Sequence, residues 1–235
     1  MAERISTDLL NIYNNYYSGD ELSVKRSLAA RDSVDHIQSI KRESLGKLID
    51  VGAGNGSVIN ELLYRGSVDE VTALEISETG IEKIKGIKNP KINNIVKFDG
   101  YKIPFPDKEF DTAICIHVLE HVEHERILIR EISRVSKEIF IEVPLEGGMR
   151  GRLYYGTGHI NYYTPLTFRA LLETSGLEVV SGRVVSSSRA YENHLYGRAR
   201  GMVRHVIRKS LLSVLGRHAP NFMTYLYVAH CRPVH

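Results

Sequence analysis

"KLIDVGAGNGS", residues 47–57, decides how this chain folds. An apolar run closes on Asp50 and passes at once into three glycines, Gly52, Gly54 and Gly56, before helical periodicity resumes. The run reads as a buried strand. Glycines at this spacing let the backbone turn sharply and approach a ligand closely. The pattern is Asp-x-Gly-x-Gly-x-Gly. The dinucleotide fingerprint, read from Gly52, would need a glycine at position 57, where Ser57 stands. No P-loop lysine follows, so the loop need not hold a pyrophosphate.

Outward from this loop, strands and helices alternate. "SVINELLYRG" (57–66) is a helix with a glycine stop, "EVTALEIS" (70–77) a second strand and "ETGIEKIKG" (78–86) a second helix. "NNIVKFDG" (93–100) and "FDTAICIHVL" (110–119) are the third and fourth strands. A helix over about 124–136 precedes a fifth strand, "KEIFIEVPL" (137–145). "TPLTFRALLETSG" (164–176) starts with Thr before Pro and stops at Gly. "LEVVSGRVVSS" (177–187) and "FMTYLYVAHC" (222–231) are β-rich, with no crossover helix pattern directly between them. The order predicts a Rossmann-like α/β fold: a mostly parallel sheet covered by helices on both faces, with an antiparallel pairing at its end. Residues 6–44 carry helical spacing and predict two or three helices, a cap over residues 1–44. The main domain then spans 45–235, with a basic helical insertion at about 190–220.

Bulk properties narrow the class. The chain has 235 residues, 43% hydrophobic and 25% charged, as expected for one large globular domain or a domain with a cap. Its formal charge of +3 is too small to point to nucleic acid. Cys115 and Cys231 form no C-x-x-C pair, and Cys115 lies in an apolar run, which fits a reducing compartment and a cytoplasmic location. The first residues, "MAERISTDLL", lack the apolar core of a signal peptide, and no apolar run is long enough to span a bilayer.

Acids close the next two strands. Glu75 ends the second, where a carboxylate can accept both hydroxyls of a ribose. Asp99 ends the third and can accept an adenine amino group. With these residues in place, the chain resembles the class I S-adenosylmethionine-dependent methyltransferases. The resemblance is carried by "IDVGAGNG" (49–56), "ALEIS" (73–77), "KFDG" (97–100) and "FDTAICIHVLEHV" (110–122), and it covers roughly residues 45–185. It implies a seven-stranded sheet whose last strand is antiparallel. It also implies that Asp50, Gly52, Ala53 and Gly54 meet the methionine part of the cofactor, that Glu75 binds the ribose and that Ile76 packs on adenine. Asp99 and Gly100 would flank the adenine edge, and Ile116 and His117 would close the pocket.

The segment after the fourth strand, "HVLEHV" (117–122), places His117, Glu120 and His121 at i, i+3 and i+4, one face of a helical turn. Several readings stay open. His-x-x-Glu-His is the zinc-protease inverzincin spacing. It also resembles the Glu-x-x-Glu-His element of ubiquinone-pathway O-methyltransferases and small-RNA 3′-end methyltransferases, where it and a later histidine hold a divalent ion. Here His159, in "GTGHINYYTP" (156–165), is the later histidine, and His117 replaces the first acid. A set of His117, Glu120, His121 and His159 is nitrogen-rich and suits Zn, Fe, Co or Mn better than Mg; if His117 serves the cofactor instead, three ligands remain. Without metal, His159 or His121 can take the acceptor proton, with Glu120 orienting the imidazole. The plain alternative is a polar turn that shapes the site.

The expected function is methyl transfer from S-adenosylmethionine to an oxygen of a small molecule or a glycan- or lipid-linked precursor, with a divalent metal as an optional aid. Rival readings are an RNA 3′-end methyltransferase and a non-catalytic cofactor-binding partner subunit. Acceptor contacts are expected from Tyr13, Tyr16, Tyr17, Arg150, Arg152, Tyr154, Tyr155, Tyr162 and Tyr163, since aromatic rings stack on sugars and arginines bind phosphate or carboxylate. In the insertion, Met202, Val203, Val206, Ile207, Leu211, Val214 and Leu215 make an apolar helical stripe among Arg198, Arg200, Arg204, Arg208, Lys209 and Arg217. The stripe fits a cap helix packed on the domain, a dimer contact, or peripheral membrane contact through 197–217. The chain is expected to be a monomer or a homodimer.

Overall fold

The computed structural model describes residues 23–147 and 158–234. Seven strands form one sheet: β1 (Lys47–Val51), β2 (Glu70–Glu75), β3 (Ile92–Lys97), β4 (Phe110–Ile116), β5 (Ser136–Leu145), β6 (Leu177–Val185) and β7 (Tyr225–Pro233), in the order β3-β2-β1-β4-β5-β7-β6. The first five pair in parallel, and β7 runs antiparallel between β5 and β6. The sheet is the one expected from the alternation of strand and helix patterns.

Helices cover both faces. They are α1 (Ser23–Gln38), α2 (Ser57–Tyr64), α3 (Glu78–Lys85), α4 (Glu125–Val135), α5 (Pro165–Thr174), α6 (Arg189–Tyr196) and α7 (Arg198–Leu215). Strand β1 shows why the central run is continuously apolar. Leu48 packs into one layer with Val34, Ile37, Ile59 and Leu62, while Ile49 and Val51 pack into the other with Leu128, Ile132 and Phe168. A parallel strand buried on both faces needs apolar side chains at both parities. Each such side chain, fully buried, contributes about 1.5–3 kcal/mol. Helix α5 starts as its sequence predicts: Thr164 accepts from the Thr167 amide, Thr167 returns the bond, and Pro165 opens the first turn. Cys115 and Cys231 are both buried and free.

The N-terminal segment is described only from residue 23, and the insertion is described throughout. Within 23–44 there is one helix, α1, and its buried Val34 and Ile37 sit in the same apolar cluster as Leu48 of β1. The rest of the expected N-terminal helices lies outside the described residues. The insertion is helical, as expected, but its stripe faces outward. Met202, Val203, Val206, Ile207 and Val214 are exposed, and Gly201 and Arg208 are the buried residues. Only the C-terminal leucines, Leu211, Leu212 and Leu215, lean on the core. Among the described residues, no helix is long and apolar enough to cross a membrane.

Candidate active site

The glycine loop leaves β1 at the carboxyl edge of the sheet, the edge where ligands bind in open α/β sheets. The amides of Gly52 and Ala53 both donate to the Leu74 carbonyl at 2.9 Å, which staples the loop to β2. Gly52, Gly54 and Gly56 all have left-handed backbone, with φ of 79°, 58° and 77°. A Cβ on Gly52 would lie 2.4 Å from Val118 Cγ2. Gly52 is therefore glycine twice over, for its dihedral and for the residue pressed against it. That contact also puts the segment after β4 directly over the loop. A fourth glycine completes the cradle. A Cβ on Gly80 of α3 would come within 2.6 Å of the Gly54 carbonyl oxygen. In the sequence Gly80 looks like an ordinary residue of "ETGIEK", and only its small size hints at a close approach.

Asp50 is almost fully buried, and its Oδ2 has no hydrogen-bond partner. Burial, reinforced by the nearby Glu75 charge, raises its pKa to about 8. Glu75 is also buried and is already oriented. Its Oε2 accepts from the Gly54 amide at 2.8 Å, and its Oε1 accepts from the Ser77 amide and hydroxyl at 3.0 and 2.8 Å. Burial raises the Glu75 pKa, and the Ser77 and Gly54 bonds oppose the rise. Asp99 caps its own loop, accepting from the amides of Tyr101 and Lys102 at 2.9 and 2.7 Å. Gly100 follows in left-handed conformation with φ 91°. Ile76 is half-buried and Ile116 buried.

The histidine segment is not a helical turn from end to end. His117 has φ 54°, a left-handed conformation unusual for a residue with a side chain, and only Leu119–His121 form a 3₁₀ turn. The segment is thus not the continuous helical turn that the spacing presumes, although Glu120 still meets His117 on one side and lies within 4.8 Å of His121 on the other. His117 is held between two buried carboxylates, with Nδ1 3.3 Å from Glu120 Oε1 and Nε2 3.4 Å from Glu142 Oε1. Burial disfavours its charged form, yet Glu120 and Glu142 outweigh that and raise its pKa to about 10. Glu120 turns inward, and its Oε2 is buried with no partner. Burial pushes the Glu120 pKa up, but the bond and charge of His117 win and the net shift is downward.

His159 does fold back onto this turn. The amides of Ile160 and Asn161 donate to the Glu120 carbonyl at 2.8 and 3.1 Å, and Asn161 Nδ2 donates to the carbonyls of Leu119 and Val122 at 2.9 and 2.7 Å. Tyr163 was expected to face the acceptor. It is instead buried in the core, and its hydroxyl donates to the Leu119 carbonyl at 3.1 Å. Tyr162 is half-buried. The other acceptor-side residues, Tyr13, Tyr16, Tyr17, Arg150, Arg152, Tyr154 and Tyr155, lie outside the described residues.

The return brings Glu120, His121 and His159 together, with potential ligand atoms all within 4.8 Å of one another. His117 is not one of these three: its ring nitrogens face Glu120 and Glu142, which matches the expectation that leaves three ligands rather than four. The two cluster histidines are oriented from behind. His121 Nδ1 donates to the Gly158 carbonyl at 3.0 Å, and His159 Nδ1 meets Glu146 Oε2 at 2.6 Å. The two rings sit edge to face, with centroids 4.7 Å apart. Burial lowers the His121 pKa. For His159 burial also pulls down, but the Glu146 bond prevails and raises it.

Four supporting residues escape a reading of the sequence. Glu146 follows β5 in "PLEGG". Glu142 lies at the centre of β5, fully buried, where it accepts from Ser33 Oγ at 2.6 Å and pairs with His36 Nδ1 at 2.6 Å. A single acid inside the apolar run "IFIEVPL" was the only signal for Glu142. Nothing in the α1 pattern marks Ser33 or His36 as its partners.

The methyltransferase-domain family model matches residues 25–182, more than half of the chain. YrhH of Bacillus subtilis (strain 168), which carries a methyltransferase name, is 23% identical over 129 residues, covering 52% of this chain and 72% of that protein. The ubiquinone/menaquinone biosynthesis C-methyltransferase UbiE of Burkholderia multivorans is 31% identical over 98 residues, covering 39% of each chain. This chain thus spans well under half of that enzyme. Among solved structures, a chain from the complex of the Haloferax volcanii Trm112 methyltransferase activator with a methyltransferase superposes with a TM-score of 0.69 at 12% identity, covering 97% of this chain and 98% of that one.

Proposed function

The chain belongs to this family of class I S-adenosylmethionine-dependent methyltransferases, and from that premise we propose that it methylates an oxygen of a small molecule or of a glycan- or lipid-linked precursor. S-adenosylmethionine, when bound, supplies an electrophilic methyl carbon on a sulfonium. The residues of the loop fit such a ligand. The partnerless, buried Oδ2 of Asp50 suits the ammonium of its amino-acid end, which would return the Asp50 pKa toward the ordinary range. Gly52, Ala53 and Gly54 leave the backbone open to close approach. Glu75 has lone pairs beyond its three inward bonds with which to accept ribose hydroxyls. Ile76, Asp99 and Gly100 border the space for adenine, and Ile116 and His117 close it from the β4 side.

The observation that carries the oxygen reading is the Glu146–His159 pair beside His121 and Glu120. With Nδ1 committed to Glu146, the neutral imidazole of His159 bears its lone pair on Nε2. That atom can take the proton of an acceptor hydroxyl, and Glu146 then stabilises the imidazolium. Because Glu146 raises the His159 pKa, the base form grows as pH rises through a value above the ordinary 6.5. Methyl transfer is therefore expected to rise with pH across that range.

A second reading adds a divalent ion. One carboxylate and two imidazoles, each imidazole held through Nδ1 by a carbonyl or a carboxylate, form an outer-shell-supported donor set. The partnerless Oε2 of Glu120 favours it. Glu120, His121 and His159 would hold the ion, whose chemistry would be to bind the acceptor oxygen and ease loss of its proton.

Transfer of labelled methyl from S-adenosylmethionine to components of a metabolite extract, with mass analysis of the product, tests the proposal. The expected product carries a methyl ether or ester, and His159→Ala abolishes the alkaline rise in rate. A methylated carbon or nitrogen, or an unchanged pH profile in His159→Ala, overturns the oxygen-base reading. Activity unaltered by complete chelation removes the metal.

A further inference from the structure

Helix α7 is built inside out. Its inward side sets a polar plug beside the core-facing Leu211, Leu212 and Leu215: the Arg208 guanidinium is buried against Glu192 of α6 and the Thr224 carbonyl, and Tyr225 donates its hydroxyl to the Arg208 carbonyl at 2.7 Å. At Gly201 the two helices cross so closely that a Cβ would meet Asn193 Cα at 2.5 Å. Its outward side carries Met202, Val203, Val206, Ile207 and Val214, each between 47% and 81% exposed. At about 100° per residue these five fall within an arc of roughly 140°. Exposed Arg198 and Lys209 border the arc on one side and exposed Arg200 on the other, with exposed Arg217 just past the end. The helix has no aspartate or glutamate.

An apolar stripe edged by cations on both sides is the pattern of a helix lying in a membrane interface. We propose that this face of α7 docks on the surface of an anionic lipid bilayer. The helix cannot bury the stripe on its own domain by rolling over. That would pull Arg208 off Glu192, which is itself fully buried, and would lift Leu211, Leu212 and Leu215 from the core. A second copy of the chain is a poor occupant, because a two-fold pairing of this face sets one basic rim against another. A bilayer of anionic lipids answers both features, taking the apolar side chains among its acyl chains and the cations among its headgroups. No membrane span is needed, and none occurs among the described residues.

The location gives the docking a consequence. The insertion leaves the sheet at Val185 and re-enters at Tyr225, which pairs with Leu145 at the carboxyl end of β5. This is the edge to which β1 and β4 deliver the glycine loop and His117. Docking would hold the active-site edge toward the bilayer, which suits an acceptor carried on a lipid. That consequence rests on the proposed function; the docking itself does not.

Vesicle flotation of the full chain tests the docking, using phosphatidylcholine alone and phosphatidylcholine with phosphatidylglycerol. Binding is expected to the anionic vesicles, falling with salt. The pair Val203→Glu and Val206→Glu should weaken binding by about tenfold or more. The pair Arg198→Glu and Arg200→Glu should weaken it and flatten the salt dependence. Both pairs lie on the exposed face, so the melting temperature and its rise with S-adenosylmethionine should match the parent, which separates loss of docking from loss of the cofactor site. Absence of binding to anionic vesicles at low salt overturns the proposal. So does binding that the valine pair leaves unchanged, or a soluble dimer that the valine pair dissolves.

Discussion

Helices α4 and α7 carry apolar residues at similar helical spacing, and they face opposite ways. In α4, Leu128, Ile129, Ile132 and Val135 are completely buried, in the same apolar cluster as Ile139 and Ile141 of β5 and Ala229 of β7. In α7, the equivalent stripe is in solvent, and the helix is fastened by one buried arginine, a close glycine crossing and three leucines at its end. The contrast teaches that periodicity defines a face and not its direction. What directs α4 inward is its place between two sheet strands, where burial of the stripe releases water from both partners. What directs α7 outward is the prior claim of Glu192 on Arg208. A buried carboxylate left unpaired costs more than a few exposed valines.

The sharpest break of this comparison is Arg208→Ala. If α7 is held by its polar plug, the variant strands Glu192 in the interior and loses about 3–5 kcal/mol of unfolding free energy. Arg204 also reaches Glu192, at 3.2 Å, and should keep the loss toward the lower end. Urea unfolding measures it, and a loss within the noise would mean that the stripe, not the plug, secures the helix. The matching change in α4, Ile132→Ala, should cost about 2–5 kcal/mol through lost transfer energy and a cavity. A smaller cost would show that the site collapses easily and that α4 is less tightly packed than its full burial indicates.

Helix α1 lies between these cases, with apolar Val34 and Ile37 beside polar Ser33 and His36 on its inward face. It supplies the smallest effect, one that depends on pH. Burial disfavours the His36 imidazolium, but its bond to Glu142 wins and raises its pKa above the ordinary 6.5. A folded-state pKa above the unfolded one stabilises the protein at low pH. The contribution is fully present below about pH 6.5 and is lost as pH rises through the folded value. Unfolding midpoints compared at about pH 6 and about pH 8 should show this loss in the parent and less of it in His36→Gln. An equal loss in both proteins would assign the dependence to another group.

The sheet was legible in the sequence because parallel strands buried on both faces leave continuous apolar runs, and because glycines and acids mark their carboxyl ends. The cofactor candidates Asp50, Gly52, Gly54 and Glu75 could be singled out for the same reason: they sit within a few residues of a strand end. Glu142, Glu146, His36 and Gly80 were not. Each acts on a partner distant in the chain or across the sheet, and no local pattern announces the pairing. The backbone at His117 was not legible, because spacing at i, i+3 and i+4 presumes a helix, whereas the chain leaves β4 through a left-handed residue.

Taken alone, the order of residues determined the strand sequence, the glycine cradle and the candidates for proton transfer. These follow from short-range steric rules and from a hydrophobic period that acts over a few residues. The tertiary structure alone decided three things: that His159 returns to Glu120 and His121, that His117 is spent between two carboxylates, and that α7 turns its apolar stripe to solvent. Each outcome depends on hydrogen bonds and ion pairs between residues distant in the chain, and contacts of that range have no signature in sequence spacing.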